Sequence, residues 1–133
     1  MRQTRTFPNE AASVTAARKF VKAALQDVPP DTLEAVELMV SELATNCVRH
    51  TDDGFQISVQ QGAAEIRVEA SDRGGGEPQL RSPGPMDPHG RGLRIVDALS
   101  DAWGIDVGPG QEKLVWFEVP AQARAEESLA GCR

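Results

Sequence analysis

The sequence has too little cysteine for a disulfide framework, no apolar run near twenty residues, and no contiguous basic patch. Each absence removes a class. The two cysteines, Cys47 and Cys132, read as a buried small hydrophobe in a helical pattern and a thiol in a loose tail. Without a long apolar run there is no membrane span to place, and no secretory h-region opens the chain. The expected location is therefore a reducing cytoplasm. Acidic residues outnumber basic ones 20 to 14, for a formal net charge of -6. Direct binding to nucleic-acid phosphates is not expected of such a chain. His50 and His89 have no Cys or His at ligand spacing, which argues against zinc.

What remains is a soluble chain of 133 residues, 40% hydrophobic and 26% charged, long enough to bury one core. Residues 1–120 are expected to form one domain and 121–133, rich in Ala, Arg and Glu, a frayed helix or tail. Residues 3–7 suit a short strand closed by Pro8. Asn9 is the expected N-cap of a helix reaching about Gln26, with Val14, Ala17, Phe20, Val21, Ala24 and Leu25 on one face. Pro29 and Pro30 interrupt it. Asp31, with Glu34 three residues on, predicts a capping box for a second helix reaching about His50. Its apolar stripe is Leu33, Val36, Met39, Val40, Leu43, Cys47 and Val48.

Beyond a turn at 51–54 the period becomes two. Phe55, Ile57 and Val59, then Ile66, Val68 and Ala70, predict two strands joined by a turn at 61–63. From Gly74 to Gly92 about half the residues are Gly or Pro, which predicts a long irregular loop. Helical spacing resumes at Leu93, Ile95, Val96 and Leu99, and two further strands follow, carrying Trp103 and Trp116 as packing residues. The expected architecture is α+β: a two-layer sandwich with a mixed, mostly antiparallel sheet covered on one face by helices.

Three short runs carry chemistry. Glu42 and Asn46 are four apart on the second helix and so share a face, at the side of its apolar stripe. An amide oxygen there suits Mg²⁺, and a carboxylate can orient or deprotonate a hydroxyl. Taken alone, the pair is as readily a solvated helix face. Asp72 ends a strand before Gly74 and Gly76. A carboxylate at that place can accept a hydrogen bond from an exocyclic amine, and glycines allow a flat ring close to the backbone. Asp followed by glycine is equally an ordinary turn. Gly90, Arg91, Gly92 and Leu93 open a helix, whose free amides, with a guanidinium beside them, attract phosphate.

In combination the runs resemble the N box (Glu42 to Asn46), the first glycine box (Asp72 to Gly76) and the second (Gly90 to Leu93) of GHKL ATPases and kinases. Over about residues 4–120 the chain is similar to the small anti-sigma-factor serine/threonine kinases of bacteria, with Val40 to His50, Gly90 to Val96 and Leu114 to Phe117 close to that family's wording. The resemblance implies a Bergerat-type site for ATP and Mg²⁺. Asn46 would hold the metal, Asp72 read the adenine amine, and Gly74 and Gly76 line the base. Residues 77–89 would form a lid, and Gly90, Arg91 and Gly92 would meet phosphates. Glu42 would be the general base toward a serine or threonine of a partner. The implied partners are a sigma factor, which is sequestered, and an anti-anti-sigma protein, which is phosphorylated; homodimers through the first strand and helix are usual. The family often reads Gly-Lys-Thr before Val-Trp, whereas here Lys113 precedes Leu114, so weaker adenine recognition is expected. Two other classes stand beside this one: a nucleotide-dependent binding module that transfers little phosphate, and the catalytic domain of a histidine kinase. Against the latter, the expected lid has no Phe and no helix with a phospho-accepting His precedes the domain.

Overall fold

The computed structural model describes residues 1–50, 53–72, 88–109 and 112–122, with the side chains of residues 50 and 88–92 left out of the description. The elements follow the expected order: β1 (Arg2–Phe7), α1 (Ala12–Ala24), α2 (Pro30–His50), β2 (Phe55–Gln61), β3 (Glu65–Asp72), α3 (Pro88–Leu99), β4 (Ala102–Val107) and β5 (Lys113–Pro120). The sheet order is β1-β2-β3-β5-β4, and among the described residues each neighbouring pair is antiparallel, in keeping with the mostly antiparallel sheet expected. Since β5 lies antiparallel between them, β3 and β4 run in one direction, joined through α3 as a split β-α-β unit.

Alternation decides which face is covered. Ile57, Val59, Ile66, Val68, Ala70, Val115, Phe117 and Val119 are buried, as are Ala17 and Val21 of α1, Val36, Met39, Val40 and Leu43 of α2, and Val96 of α3. One face of the sheet therefore meets all three helices in one core. The other face is polar. Arg2 pairs with Glu69, Glu69 with Arg67, and Arg67 with Glu118, at 2.8–2.9 Å. Burial would raise the Glu69 pKa, but hydrogen bonds from Arg67 and Arg2 hold it below the usual carboxylate range. Arg67 also lies 4.2 Å from the ring centroid of Trp116, which spreads over Gly104, where a Cβ would stand 2.9 Å from the indole. Trp103 donates instead to Asp97 at 2.8 Å.

Three helix starts differ from expectation. For α1, Ala11 is the N-cap, in helical conformation and without a side-chain cap bond. Asn9 is displaced because Ser13, itself buried, donates its hydroxyl to the Pro8 carbonyl at 2.7 Å and ties a turn before the helix. The helix ends at Ala24, where Leu25 turns extended, and the Gln61 side chain pairs with both backbone groups of Gln26. For α2, Pro30 is the first residue rather than a stop, and Asp31 lies inside the first turn. Proline suits that position, since its missing N–H has no helical acceptor there, and Asp31 then favours the dipole. The same reasoning applies to α3, which starts at Pro88, two residues before Gly90 and within the stretch expected to be irregular. Beyond β5, Ala121 is still packed, its N–H on the Ala64 carbonyl at 2.9 Å. The expected turn residues Thr51 and Asp52, and the tail from residue 123 with Cys132, lie outside the described residues. Among the described residues no helix is long and apolar enough to cross a membrane.

Candidate active site

Asp72 is the last residue of β3 and only 8% exposed. It stands in line with buried Ile66, Val68 and Ala70, so its carboxylate faces the helices rather than water. Across the ladder it pairs with Phe55 on β2 and Lys113 on β5. A carboxylate in that place is costly unless donors meet it. One polar neighbour comes from α2: the Cys47 thiol stands close enough to Asp72 for each to act on the other's ionisation. Burial raises the Asp72 pKa above its ordinary value, while the Lys113 ammonium and the Cys47 thiol act the other way. Burial likewise pushes the Cys47 thiol far up, and the Asp72 charge adds to this. Cys47 is therefore a protonated thiol, not a nucleophile. Its reading as a plain buried hydrophobe captured the burial and missed the polar partner. The missed signal was its position, directly after Asn46 and facing the same layer as Asp72.

Core packing sets α2 against β3, with Cys47 near Asp72. Asn46 adjoins Cys47, and Glu42 stands one turn earlier on the same helical side. Both are partly exposed and flank the buried Leu43, Ala44 and Cys47, at the rim of the stripe as expected. Ser41 is held in the structure: it donates to the Glu37 carbonyl at 3.1 Å and receives Arg18 at 3.4 Å. The fold thus brings two of the three sequence runs together. Of the third, Leu93 packs partly buried against the core, and Gly90, Arg91 and Gly92 belong to the first turns of α3. Gly74 and Gly76 lie outside the described residues, as do residues 77–87 of the expected lid. Residues 88 and 89 of that lid are helical.

The expectation about Leu114 changes with the register. Leu114 pairs with Ser71, on the polar face opposite Asp72, so a hydroxyl there would not adjoin the Asp72 carboxylate. The neighbour of Asp72 is Lys113, which the sequence reading did not place in the site. A recess of about 690 Å³ at the strand ends is lined by Thr6, Gln56 and Ser71 of the polar face, by Phe55 and Asp72 of the helix side, and by Asp53, Gly54 and Glu112 just before β2 and β5. Asp72 borders this recess and also faces α2, and we place the site on that helix side, where Asn46 and Glu42 stand.

This arrangement fits a purine and a magnesium ion. A desolvated carboxylate gains most from a ligand amine that replaces lost water. Asn46 offers one amide oxygen at the rim, in keeping with an ion that retains waters and binds phosphate oxygens.

The family described as the histidine kinase-like ATPase domain matches residues 7–117. No curated protein matches the chain. Among solved structures, the histidine kinase domain of the Erythrobacter litoralis blue-light-activated histidine kinase aligns over 86% of this chain and 62% of its own, at 22% identity and TM-score 0.58. The larger structure of that kinase aligns over 90% of this chain and 44% of its own, at 22% identity and TM-score 0.62. The Acinetobacter baumannii histidine kinase AdeS aligns over 90% and 68%, at 16% identity and TM-score 0.53. At these identities the likeness is one of fold, and this chain spans less than two thirds of the first two structures.

Proposed function

Because this chain belongs to the histidine kinase-like ATPase domain family, we propose that it is an ATP-dependent serine/threonine protein kinase that phosphorylates an anti-anti-sigma protein and sequesters a sigma factor. ATP, typically with Mg²⁺, is the ligand of GHKL-type domains. The observation that carries the reading is the buried carboxylate of Asp72 at the end of β3, facing α2, the helix that bears Asn46 and Glu42.

In this reading Asp72 accepts from the adenine amine, and Asn46 would hold Mg²⁺ through its amide oxygen, an ion that would supply charge neutralisation at the phosphates. Gly90, Arg91 and Gly92 are assigned to the phosphate end, where the free amides at the start of α3 and a guanidinium would meet phosphate oxygens. The resemblance assigns the base-lining role to Gly74 and Gly76, which lie outside the described residues. Glu42 takes the proton from the acceptor hydroxyl, and its placement one turn from Asn46 holds that hydroxyl near the phosphate end. Little covalent chemistry is asked of the chain, since phosphoryl transfer depends mainly on position and charge. The reading also places the protein in the cytoplasm, without direct contact to nucleic acid or membrane, and as a homodimer through β1 and α1.

Incubation with γ-labelled ATP and a candidate anti-anti-sigma domain tests it. The expected product is acid-stable label on a serine or threonine of that domain. Acid-labile label would point to phosphohistidine and contradict the acceptor assigned. Nucleotide binding with no transfer would favour a nucleotide-dependent sigma-binding module instead.

A further inference from the structure

We propose that Lys113 is a specificity-determining residue that donates to N1 of adenine, so that Asp72 and Lys113 together read the amino edge of the base; this rests on the nucleotide reading above. That edge presents a donor, the N6 amine, beside an acceptor, N1. An ionised carboxylate offers acceptors only, and an ammonium offers donors only. Asp72 and Lys113 are direct antiparallel partners across β3 and β5. Such partners share a face, with Cβ atoms about 5 Å apart, so a carboxylate and an ammonium carried there can converge on adjacent groups of one ligand edge.

Three further observations favour this couple. Asp72 is nearly buried and Lys113 partly so, and the two charges act on each other without closing one of the ion pairs found among the described residues. The Lys113 ammonium is therefore held in the carboxylate's field without occupying its oxygens. Next in the row, on β4, stands Val107, 52% exposed, with Ile105 two residues away, 44% exposed. Both continue the helix-side face beyond Lys113 and offer aliphatic surface against which a base can lie. Finally, Leu114 points to the opposite face, which leaves Lys113 as the β5 side chain beside Asp72. Guanine and hypoxanthine carry the reverse pattern on this edge, an acceptor at O6 and a donor at N1. In the same pose they would set acceptor against Asp72 and donor against Lys113.

The test is equilibrium titration of the full chain, in Mg²⁺, with ATP, with 1-deaza-ATP (in which N1 is replaced by C–H), and with inosine triphosphate. The wild-type protein is expected to bind 1-deaza-ATP about tenfold more weakly than ATP, the scale of one charge-assisted hydrogen bond. Inosine triphosphate should bind more weakly still. Lys113→Met keeps the stem and removes the donors; it should bind ATP and 1-deaza-ATP equally, at the wild-type level for 1-deaza-ATP. Lys113→Arg should restore discrimination in part, which a merely structural role would not produce. Equal affinity of the wild type for ATP and 1-deaza-ATP, or full discrimination retained by Lys113→Met, overturns the role of Lys113 while leaving the site standing. Wild-type protein that binds none of the three removes the nucleotide reading itself.

Discussion

Replacing Asp72 by Asn is expected to weaken Mg-ATP binding by about one to two orders of magnitude, from the micromolar range, because a charge-assisted hydrogen bond to the base is lost or reversed. The same change should stabilise the nucleotide-free protein at neutral pH. Burial raises the pKa of Asp72 in the folded chain relative to the unfolded one. The folded state then binds more protons than the unfolded state in the window between the two pKa values, so stability falls as pH rises through it. Below the unfolded pKa both states are protonated and the penalty is absent. Above the folded pKa both are ionised and the penalty is complete. Asn removes it, so the melting temperature of Asp72→Asn at pH 7 should exceed that of wild type, and the gap should close as pH falls through the window. Titration calorimetry and thermal melts at several pH values check both halves. Equal ATP affinity in the two proteins would contradict the base-reading role. A lower melting temperature in the mutant would show the carboxylate to be a net stabiliser.

Glu42→Gln should separate binding from chemistry. Glu42 is partly exposed at the rim of α2, so loss of its charge leaves the core intact. A general base typically contributes about 10²–10⁴-fold to a proton-coupled transfer. Phosphate transfer to the acceptor hydroxyl should fall by that factor, with ATP affinity changed no more than about threefold, since glutamine retains the shape. Single-turnover transfer alongside nucleotide titration measures the two. Undiminished transfer would remove Glu42 as the base. A parallel fall in affinity and rate would assign it to nucleotide binding.

The periodic parts of the fold were legible because their signals are local. The stripe Val36, Val40, Leu43 and Cys47 marks one helical face, and the alternation at Ile57, Val59, Ile66 and Val68 marks two strands; all of these are buried as expected. The rim position of Glu42 and Asn46 follows from the same stripe. Helix starts were less legible, because proline at a first helical position and proline as a breaker look alike in sequence; Pro30 and Pro88 are the former. Asn9 lost the cap of α1 to a bond between Ser13 and Pro8 that propensity does not reveal. The insertion of β5 between β3 and β4 is non-local, and only it makes Lys113 the neighbour of Asp72. One clue was present: Val115, Phe117 and Val119 fix the inward face of β5, and counting back two residues puts Lys113, not Leu114, on the side of Asp72. The thiol of Cys47 was hidden for a similar reason, since a buried cysteine is usually just a small hydrophobe.

The most direct measurement is a backbone amide NMR titration of the intact chain with Mg-ATP. If one nucleotide is shared by the end of β3 and the rim of α2, amides at 42–47 and at 70–72 should shift together and saturate with a single dissociation constant. Shifts confined to the polar strand-end recess around Thr6 and Gln56, with α2 unmoved, would contradict it, as would two groups of residues that titrate with different constants.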